Sequence, residues 1–407
     1  MTRDPSSTIL CRVKEYRKRN RLSQEALASH VGLRRQAVYD MEAGRYLPNT
    51  AVALRLAAVL GCTVEMLFGE EPAPGTEVVH ILGEPEAPSS QNLLAQNPLP
   101  QSPLATEEHS LTAFAQTRLA LAKVRDKLVG VPLHGLQNTP AHTSGRPGLP
   151  FALPLSDGYV GEDGFLQLHL PKSRLENTAL VLGCDPALSL LTGLVPGRAP
   201  GLRAHTAFAS SRKALSALST GHTHMAATHF HGDDNANLVA LQNICPNLAC
   251  LVVGFSTQEE GLMVAAGNPL GIRSVTDLPG SPARLANREK GAALRKLLDS
   301  LLEKEGISPA SVRGYESEVL SHSEGALCVA RGVADAALGL RVVAMAFSLD
   351  FVPLATTRCD LVVPADLCHQ PGVAALLDCV QSAALKREME ALPGYDSAAT
   401  GRVLLRP

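Results

Sequence analysis

The chain has 407 residues, with 37 Lys and Arg against 39 Asp and Glu and an apolar share of 45%, which is typical of a globular protein of two or three domains. Its most apolar run, residues 179–195, contains an Asp-Pro pair and is too short to span a bilayer. No apolar signal segment follows Met1, and the nine cysteines include no CxxC pair. Composition therefore argues against a membrane protein and a disulfide-rich secreted protein, and we expect a cytoplasmic location.

The near-neutral total conceals an uneven charge distribution. Residues 1–70 carry 11 Lys and Arg against 7 Asp and Glu, whereas the remainder carries 26 against 32. A small basic segment on an acidic body predicts that only the N-terminal part meets a polyanion such as DNA.

Residues 9–68 are predicted to form short helices joined by tight turns. Ser23 is placed to cap a helix over "SQEALASHVG" that Gly32 ends, and Asn49 or Thr50 is placed to cap "AVALRLAAVLG". Between them lies the basic helix "LRRQAVYDMEAG", which follows after almost no linker. Two helices joined by so short a turn, the second one basic, are typical of a helix-turn-helix.

The basic helix has an apolar face and a polar face. Val38 and Met41 are three residues apart and are predicted to face the core, which places Arg35, Gln36 and Tyr39 on the opposite side. Arginine can pair with guanine and glutamine with adenine in the major groove. Arg34, Arg45 and the basic cluster at residues 17–19 are expected to contact phosphates, which position the protein without reading sequence.

The stretches "LSQEALA", "RRQAVYDMEAGRYLPN" and "ALRLAAVLGC" resemble the Xre (phage-repressor-like) helix-turn-helix family over nearly sixty residues. Arg34 is a departure, since the family commonly has a capping serine there. The resemblance implies a homodimer on a two-fold operator of double-stranded DNA. The DNA-contacting residues that we predict are Gln24, Arg34, Arg35, Gln36, Tyr39, Arg45 and Asn49.

Residues 71–174 are predicted to be a linker between the helix-turn-helix domain, residues 1–70, and a C-terminal domain, residues 175–407. The linker is rich in Pro, Ser, Gln, Asn and Gly, as in "EPEAPSSQN" and "QNPLPQSPL". One helix is predicted to interrupt it at about residues 111–128, with an apolar stripe too ragged to indicate a packing partner.

From about residue 175, short apolar runs alternate with amphipathic helices, a pattern that indicates an α/β fold with parallel strands. Two such sets, joined by an extended segment near residues 254–261 and a return near 355–363, predict two lobes around a cleft. Ligands in such folds lie beyond the carboxyl ends of the strands, where helix N-termini point.

This region resembles the periplasmic-binding-protein-like (type II) domain that follows Xre modules in bacteria and also occurs beside molybdenum-cofactor biosynthesis domains. The matching stretches are "LGCDPAL", "TGHTHMAATH", "GLMVAAGNPLGI", "NREKGAALR", "GYESEVLSH", "GVADAALGL" and "GYDSAATG". Related binding proteins take up tetrahedral oxyanions, and the resemblance implies molybdate or tungstate as the effector.

Residues 222–231, "HTHMAATHFH", hold four histidines, and three interpretations compete. A zinc or nickel site is one, because a His-x-His pair on a strand presents both rings on one face. A catalytic base is another, although no GxSxG or similar motif stands nearby and we expect no enzyme. In the preferred interpretation His224 and His229 serve an anion site, while His222 and His231 are bystanders.

Helix N-termini after Cys184, Ser210 and Lys290 would offer unpaired N–H groups to that anion. Side chains nearby would add a hydroxyl, a guanidinium and a second imidazole, and a glycine would let the anion approach the backbone. The ligand-binding residues that we predict are Asp185, Ser210, Ser211, His224, His229, Asn287, Arg288, Gly291, Glu318 and His322. The sequence thus predicts a DNA-binding regulator that senses an oxyanion, with a metal ion or an organic anionic metabolite as alternative effectors.

Overall fold

The computed structural model describes residues 11–20, 22–62, 64–68, 79–82, 117–133, 155–161, 165–232 and 234–407. These residues divide into two compact units, one before and one after residue 76. Within these ranges no helix combines the length and the apolarity that crossing a bilayer needs.

The first unit is a set of short helices whose ends carry the predicted caps. Its helices are α1 (Val13–Arg19), α2 (Gln24–Val31), α3 (Arg35–Glu42), α4 (Thr50–Leu60) and α5 (Val64–Leu67). The Ser23 side chain accepts a hydrogen bond from Ala26 N, and the Asn49 side chain accepts one from Val52 N. Gly32 ends α2 with a φ of 71°, a left-handed conformation that favours glycine.

The hydrophobic core of this unit determines which face of α3 is buried and which is exposed. Val38 and Met41 are fully buried with Leu27 and Leu56, as the spacing predicts. The predicted helix-turn-helix is confirmed in this unit, with α2 and α3 as its two helices.

The second unit begins with a small sheet in the region predicted to be a linker. Its strands are β1 (Val79–Ile81), β2 (Arg118–Val124), β3 (Lys127–Pro132), β4 (Gly158–Val160) and β5 (Leu166–Leu168), in the order β1-β3-β2-β4-β5, and the short helix α6 (Lys172–Glu176) follows. The helix predicted over residues 111–128 is therefore wrong for residues 118–128, and residues 111–116 lie outside the described part.

Packing explains why a Leu- and Ala-rich segment forms a hairpin. Ala120, Ala122 and Val124 on β2 share one core with residues of the large sheet, including Leu180 and Leu182. Burial of this kind overrides the intrinsic helix preference of leucine and alanine.

The large sheet contains two sets of parallel strands. Its strands are β6 (Thr178–Gly183), β7 (Arg203–Phe208), β8 (Met225–Thr228), β9 (Cys250–Val264), β10 (Leu285–Arg288), β11 (Glu318–Val319), β12 (Ala336–Leu340), β13 (Asp350–Pro364), β14 (Tyr395–Asp396) and β15 (Val403–Leu405). The order is β11-β10-β12-β9-β13-β8-β6-β7, and β14 and β15 pair with β9.

Helices cover these strands. They are α7 (Leu188–Leu194), α8 (Ser211–Ser219), α9 (Ala236–Ile244), α10 (Ala293–Lys304), α11 (His322–Ala330), α12 (Arg341–Ala346), α13 (Pro371–Val380) and α14 (Ala383–Glu390). We call β6–β8 with their helices the first lobe, and β10–β12 with their helices the second lobe.

The lobes are joined by β9 and β13, two antiparallel strands of 15 residues each. The predicted extended segment at residues 254–261 lies within β9, and the predicted return at residues 355–363 lies within β13. The predicted fold class, a helical helix-turn-helix domain followed by a two-lobed α/β domain, is confirmed.

Candidate functional site

The exposed face of α3 carries the residues predicted to meet DNA. Arg34, Arg35, Gln36 and Tyr39 are exposed there. Asp40 organises this face: its carboxylate accepts a hydrogen bond of 3.2 Å from Gln36 Nε2 and one of 2.8 Å from Arg45 Nη1. The Arg45 guanidinium also lies 5.3 Å from the centre of the Tyr39 ring. These contacts hold several polar side chains of the face together.

Arg17 and Gln24 instead bind Glu42, at the end of α3. Arg17 Nε lies 2.5 Å from Glu42 Oε1, and Gln24 Nε2 donates to Glu42 Oε2 at 2.8 Å. Burial alone would raise the pKa of Glu42, but the hydrogen bonds from Arg17 and Gln24 lower it. The prediction that Arg17 contacts phosphate is corrected, because its side chain is only 11% exposed and its charge is already paired.

Two other predicted DNA-contacting residues lie at helix starts. Asn49 uses its side-chain oxygen to cap α4, with a distance of 3.0 Å to Val52 N. Arg34 precedes α3 without forming a side-chain cap, as its departure from the family pattern predicts.

In the second unit, several polar side chains meet where strands end or cross. We call this set the cleft cluster; its members are Cys184, Ser211, His229, His231, Glu260, Arg288 and His322, together with Gln258, which lies two residues before Glu260 on the same strand face. The first-lobe members follow β6, β7 and β8, the second-lobe members end β10 and follow β11, and the remaining two lie on β9.

Ser211 and His229 are locked together at the first-lobe side. Ser211 Oγ donates to the His229 carbonyl oxygen and accepts from His229 N, both at 3.0 Å. The His229 ring then lies 3.4 Å from Ser211 Oγ and 3.5 Å from Cys184 Sγ, measured to Nδ1. Burial raises the pKa of the Cys184 thiol, so this cysteine is neutral.

Arg288 and His322 form the second-lobe side. Arg288 ends β10 and donates to the carbonyl oxygens of Val319 and Leu320, while its Nη1 lies 3.4 Å from His322 Nδ1. Burial, and next the charge of Arg288, keep the pKa of His322 well below its usual value. His322 is thus a neutral imidazole at the first position of α11.

Phe208 links the two sides. It ends β7 in the first lobe, and its ring centre lies 5.7 Å from the Arg288 guanidinium and 6.5 Å from the His322 ring. These contacts bring the second-lobe side of the cluster against the first lobe.

The cluster members on β9, Gln258 and Glu260, were not predicted from the sequence. Ser256, Gln258 and Glu260 alternate along the strand and therefore share one face, and Ser256 Oγ donates to Asp185 Oδ2 at 2.6 Å. Glu260 lies 3.6 Å from His229 Nε2 and 2.7 Å from His231 Nε2. The sequence signal that could have indicated them is the alternation of polar residues within the otherwise largely apolar run at residues 250–264.

His231 was predicted to be a bystander, but its contact with Glu260 places it in the cleft cluster. Burial lowers the pKa of His229, against an opposing effect of the Glu260 charge. No group of three or more His, Cys, Asp or Glu side chains among the described residues is arranged to hold a metal ion.

His224 is not part of the cluster, and its prediction as a ligand-binding residue is corrected. Its Nδ1 accepts a hydrogen bond from Leu180 N at 3.0 Å, and its Nε2 lies 3.1 Å from the carbonyl oxygen of Lys123. Both ring nitrogens therefore tie the backbone of β6 to that of β2. His222 also lies apart, beside Thr220 Oγ1 at 2.7 Å and the ring of His80 at 5.0 Å.

Two further predicted ligand-binding residues are bound elsewhere. Glu318 lies 3.6 Å from Arg295, and Asn287 bonds the Arg288 amide and the Tyr315 carbonyl oxygen. These side chains support the backbone around β10, and the structure does not bring them into the cluster.

The remaining three predicted residues lie beside the cluster or at helix starts. Asp185 accepts hydrogen bonds from Ala187 N, Ser256 and Tyr395, which makes it a structural centre next to Cys184. Ser210 is the N-cap position of α8 without a side-chain cap bond. Gly291 has a φ of 92° and open space where a Cβ would lie, which suits a backbone that a ligand approaches closely.

The two backbone bonds of His224 predict a dependence of stability on pH. Burial lowers its pKa to about 4, against an ordinary value of about 6.5 in the unfolded chain. Between these values only the unfolded state binds the proton, so the stabilisation is present above about pH 6.5 and is lost as the pH falls towards 4. We expect the free energy of unfolding to fall by up to about 3 kcal/mol over this range.

Urea unfolding followed by circular dichroism at several pH values measures this dependence. His224→Gln should make the dependence shallower, whereas His369→Gln, which changes an exposed imidazole, should leave it unchanged. An equally steep dependence in His224→Gln would assign it to other groups, such as His222, whose pKa burial also lowers to about 4.

Each of the two units matches a family of known proteins. Residues 13–67 match the family described as helix-turn-helix, and residues 193–381 match the PBP superfamily domain. A helix-turn-helix-type transcriptional regulator of Archaeoglobus fulgidus is 37% identical over 57 residues, which are 14% of this chain and 80% of that protein.

The uncharacterized protein YvgK of Bacillus subtilis is 36% identical over 148 residues, which are 36% of this chain. The chain spans 47% of the length of that relative. A phosphate-bound putative phosphate transporter substrate-binding protein from Clostridium perfringens is 8% identical with a TM-score of 0.40, over 52% of this chain and 96% of that one. The chain belongs to the helix-turn-helix transcriptional regulators, and it joins an Xre-type helix-turn-helix domain to a PBP-like C-terminal domain.

Proposed function

We propose that this regulator binds operator DNA through the exposed face of α3 and senses a small oxyanion at the cleft cluster. The observation that carries the proposal is the convergence of polar side chains and helix N-termini from both lobes on one buried place. Ser211 and His229 come from the first lobe and Arg288 and His322 from the second, linked through Phe208.

The DNA-binding part of the proposal rests on α3. Arg35 and Gln36 are exposed in the first turn of α3, the part of a recognition helix that presents base-reading side chains. A single module of this size covers little DNA, so we propose a homodimer on a two-fold operator.

The oxyanion part rests on the donors of the cluster. Arg288 supplies a guanidinium, and His322 has a buried Nε2 that bonds no other described residue. Ser211 and His322 each begin a helix of nine residues, whose first N–H groups lack intrahelical partners. Molybdate and tungstate are the oxyanions that the family resemblance implies, and they are tested beside phosphate and sulfate.

The hinge strands suggest how the ligand reaches the DNA. A ligand held by both lobes stabilises the arrangement in which they contact each other, and β9 and β13 are the connections that such a movement would bend. Operator affinity then changes by the difference in ligand affinity between the two arrangements.

Calorimetric titration of the purified full-length protein with molybdate, tungstate, sulfate, phosphate and zinc tests the sensor. We expect at least one oxyanion to bind with micromolar or tighter affinity. Arg288→Gln should weaken that binding roughly 10- to 100-fold, because a charge-assisted hydrogen bond contributes about 1.5–3 kcal/mol. Arg331→Gln, a change of an exposed arginine after α11, is the matched control.

Three results would contradict the proposal. Binding of zinc alone would favour a metal-responsive regulator. If Arg288→Gln and Arg331→Gln weakened anion binding equally, the cleft cluster would not be the binding site. A failure of every oxyanion to bind would exclude an oxyanion sensor.

A further inference from the structure

We propose that the effector is an anion that also carries an O–H or N–H donor, and that Glu260 selects for this donor. Hydrogen phosphate and hydroxy acids belong to this class, whereas sulfate, molybdate and tungstate, which carry no proton at neutral pH, do not. The inference rests on the proposed sensor function and narrows its ligand.

The first observation is a buried carboxylate within an anion site. Glu260 is 0% exposed and lies on the face of β9 that carries Gln258 and Ser256. Neither Glu260 oxygen accepts a hydrogen bond from a described residue. The His231 ring reaches 2.7 Å from Oε2 but is not aligned to form a hydrogen bond. A buried carboxylate whose oxygens accept no hydrogen bond from the protein needs donors from a ligand.

The second observation is that unpaired donors and acceptors occur together. Gln258, 1% exposed, forms no hydrogen bond through either side-chain atom with any residue that the structure describes. The same holds for Nε2 of His322, which is 3% exposed. A bare tetrahedral dianion only accepts hydrogen bonds, so it would satisfy the donors and leave the Glu260 oxygens unpaired. A ligand that both donates and accepts satisfies the whole set.

The third observation concerns charge. The positive charge of Arg288 is already shared with Glu289, at 3.0 Å from Nε to Oε2. The other charged or titratable groups facing Glu260 are His229, His231 and Cys184, with His322 and Asp185 nearby. A dianion without a proton therefore meets a repulsion from Glu260 that Arg288 does not fully offset. In hydrogen phosphate a ligand proton between the two groups replaces this repulsion with a hydrogen bond.

Asp185 cannot take the place of Glu260 in this selection. Its carboxylate already accepts from Ser256 Oγ, the Tyr395 hydroxyl and Ala187 N, at 2.6, 2.6 and 2.9 Å. These bonds satisfy both oxygens within the protein. Glu260 is thus the buried carboxylate of this region that lacks such donors.

Matched ligands test the selection on the full-length protein. Phosphate and sulfate have the same shape but differ in a proton, and malate and succinate differ in one hydroxyl group. Calorimetry at neutral pH should show the donor-bearing member of at least one pair binding at least about 30-fold tighter than its partner, because a site that leaves a buried acceptor unpaired rejects the analogue. Molybdate should bind no better than sulfate.

Glu260→Gln replaces an acceptor with a group that can donate. It should bring the two members of the discriminated pair within about threefold of each other and strengthen sulfate binding. Glu259→Gln is the control, because Glu259 lies on the opposite face of β9 and binds Arg341. Circular dichroism checks that both variants are folded, and the wild-type comparison stands without either variant.

The outcomes separate this inference from the sensor function. If sulfate or molybdate binds the wild-type protein as well as phosphate and malate do, the selection by Glu260 is refuted and an oxyanion sensor remains. If discrimination persists in a folded Glu260→Gln protein, another group reads the ligand and the inference is refuted. If none of these anions binds, both the inference and the proposed sensor function fail.

Discussion

Replacing Arg35 with alanine is expected to abolish specific operator binding while leaving the binding of anions unchanged. Arg35 is the first residue of α3 and its side chain is exposed, one helical turn before the buried Val38. A bidentate arginine contact with guanine contributes about 1–3 kcal/mol of discrimination, and a homodimer loses it twice. The loss is then about 2–6 kcal/mol, or roughly 30-fold to more than 10⁴-fold in affinity.

An operator selected from random DNA with the wild-type protein allows this loss to be measured by fluorescence anisotropy at fixed salt concentration. Arg55→Ala is the matched control, because it removes an exposed arginine of α4 outside the recognition helix. If the Arg35→Ala protein bound the operator as tightly as wild type, residues other than Arg35 would have to read the bases. A simultaneous loss of anion binding would contradict the separation of the two functions between two compact units.

The helix-turn-helix could be predicted from the sequence because its signals are local. Ser23, Gly32 and Asn49 are capping residues next to the helices that they limit, and the three-residue spacing of Val38 and Met41 identifies the buried face of α3. Each signal acts within one turn of helix, where the chain has few alternatives.

The cleft cluster was predictable where its members lie at strand ends. Ser211, His229 and Arg288 follow or end parallel strands, and strand ends in such folds meet at one edge. Gln258 and Glu260 lie in the middle of β9, where their function depends on which face the strand turns to the cleft. His224 was misplaced for a related reason, since the pairing of β6 with β8 and the packing of β2 decide its environment.

The hairpin of β2 and β3 could not be predicted from the sequence for a different reason. Leucine and alanine in residues 118–124 favour a helix intrinsically, and the strand is stabilised by a core built from residues about sixty positions later in the chain. Only tertiary packing distinguishes the two conformations.

Gly261→Ala is expected to destabilise the C-terminal unit by about 4 kcal/mol or more. Gly261 lies where β9 pairs with both β12 and β13, and a Cβ there would overlap the carbonyl oxygen of Val352 and come within 2.9 Å of the Phe351 ring. The first obstacle is backbone, so relief requires the two hinge strands to separate at a place where β13 already has a register shift. Forced strain of this kind belongs to the severe class of single substitutions.

Urea unfolding followed by circular dichroism measures the effect, since the chain has no tryptophan to report by fluorescence. Gly193→Ala is the control: this glycine lies in α7 with nothing within 4 Å of a Cβ, and alanine there should be neutral or stabilising by up to about 1 kcal/mol. A Gly261→Ala protein as stable as wild type would mean that β9 and β13 separate at little cost. The hinge would then be soft enough for the lobes to move without ligand, and the coupling between anion and operator would have to come from contacts outside these strands.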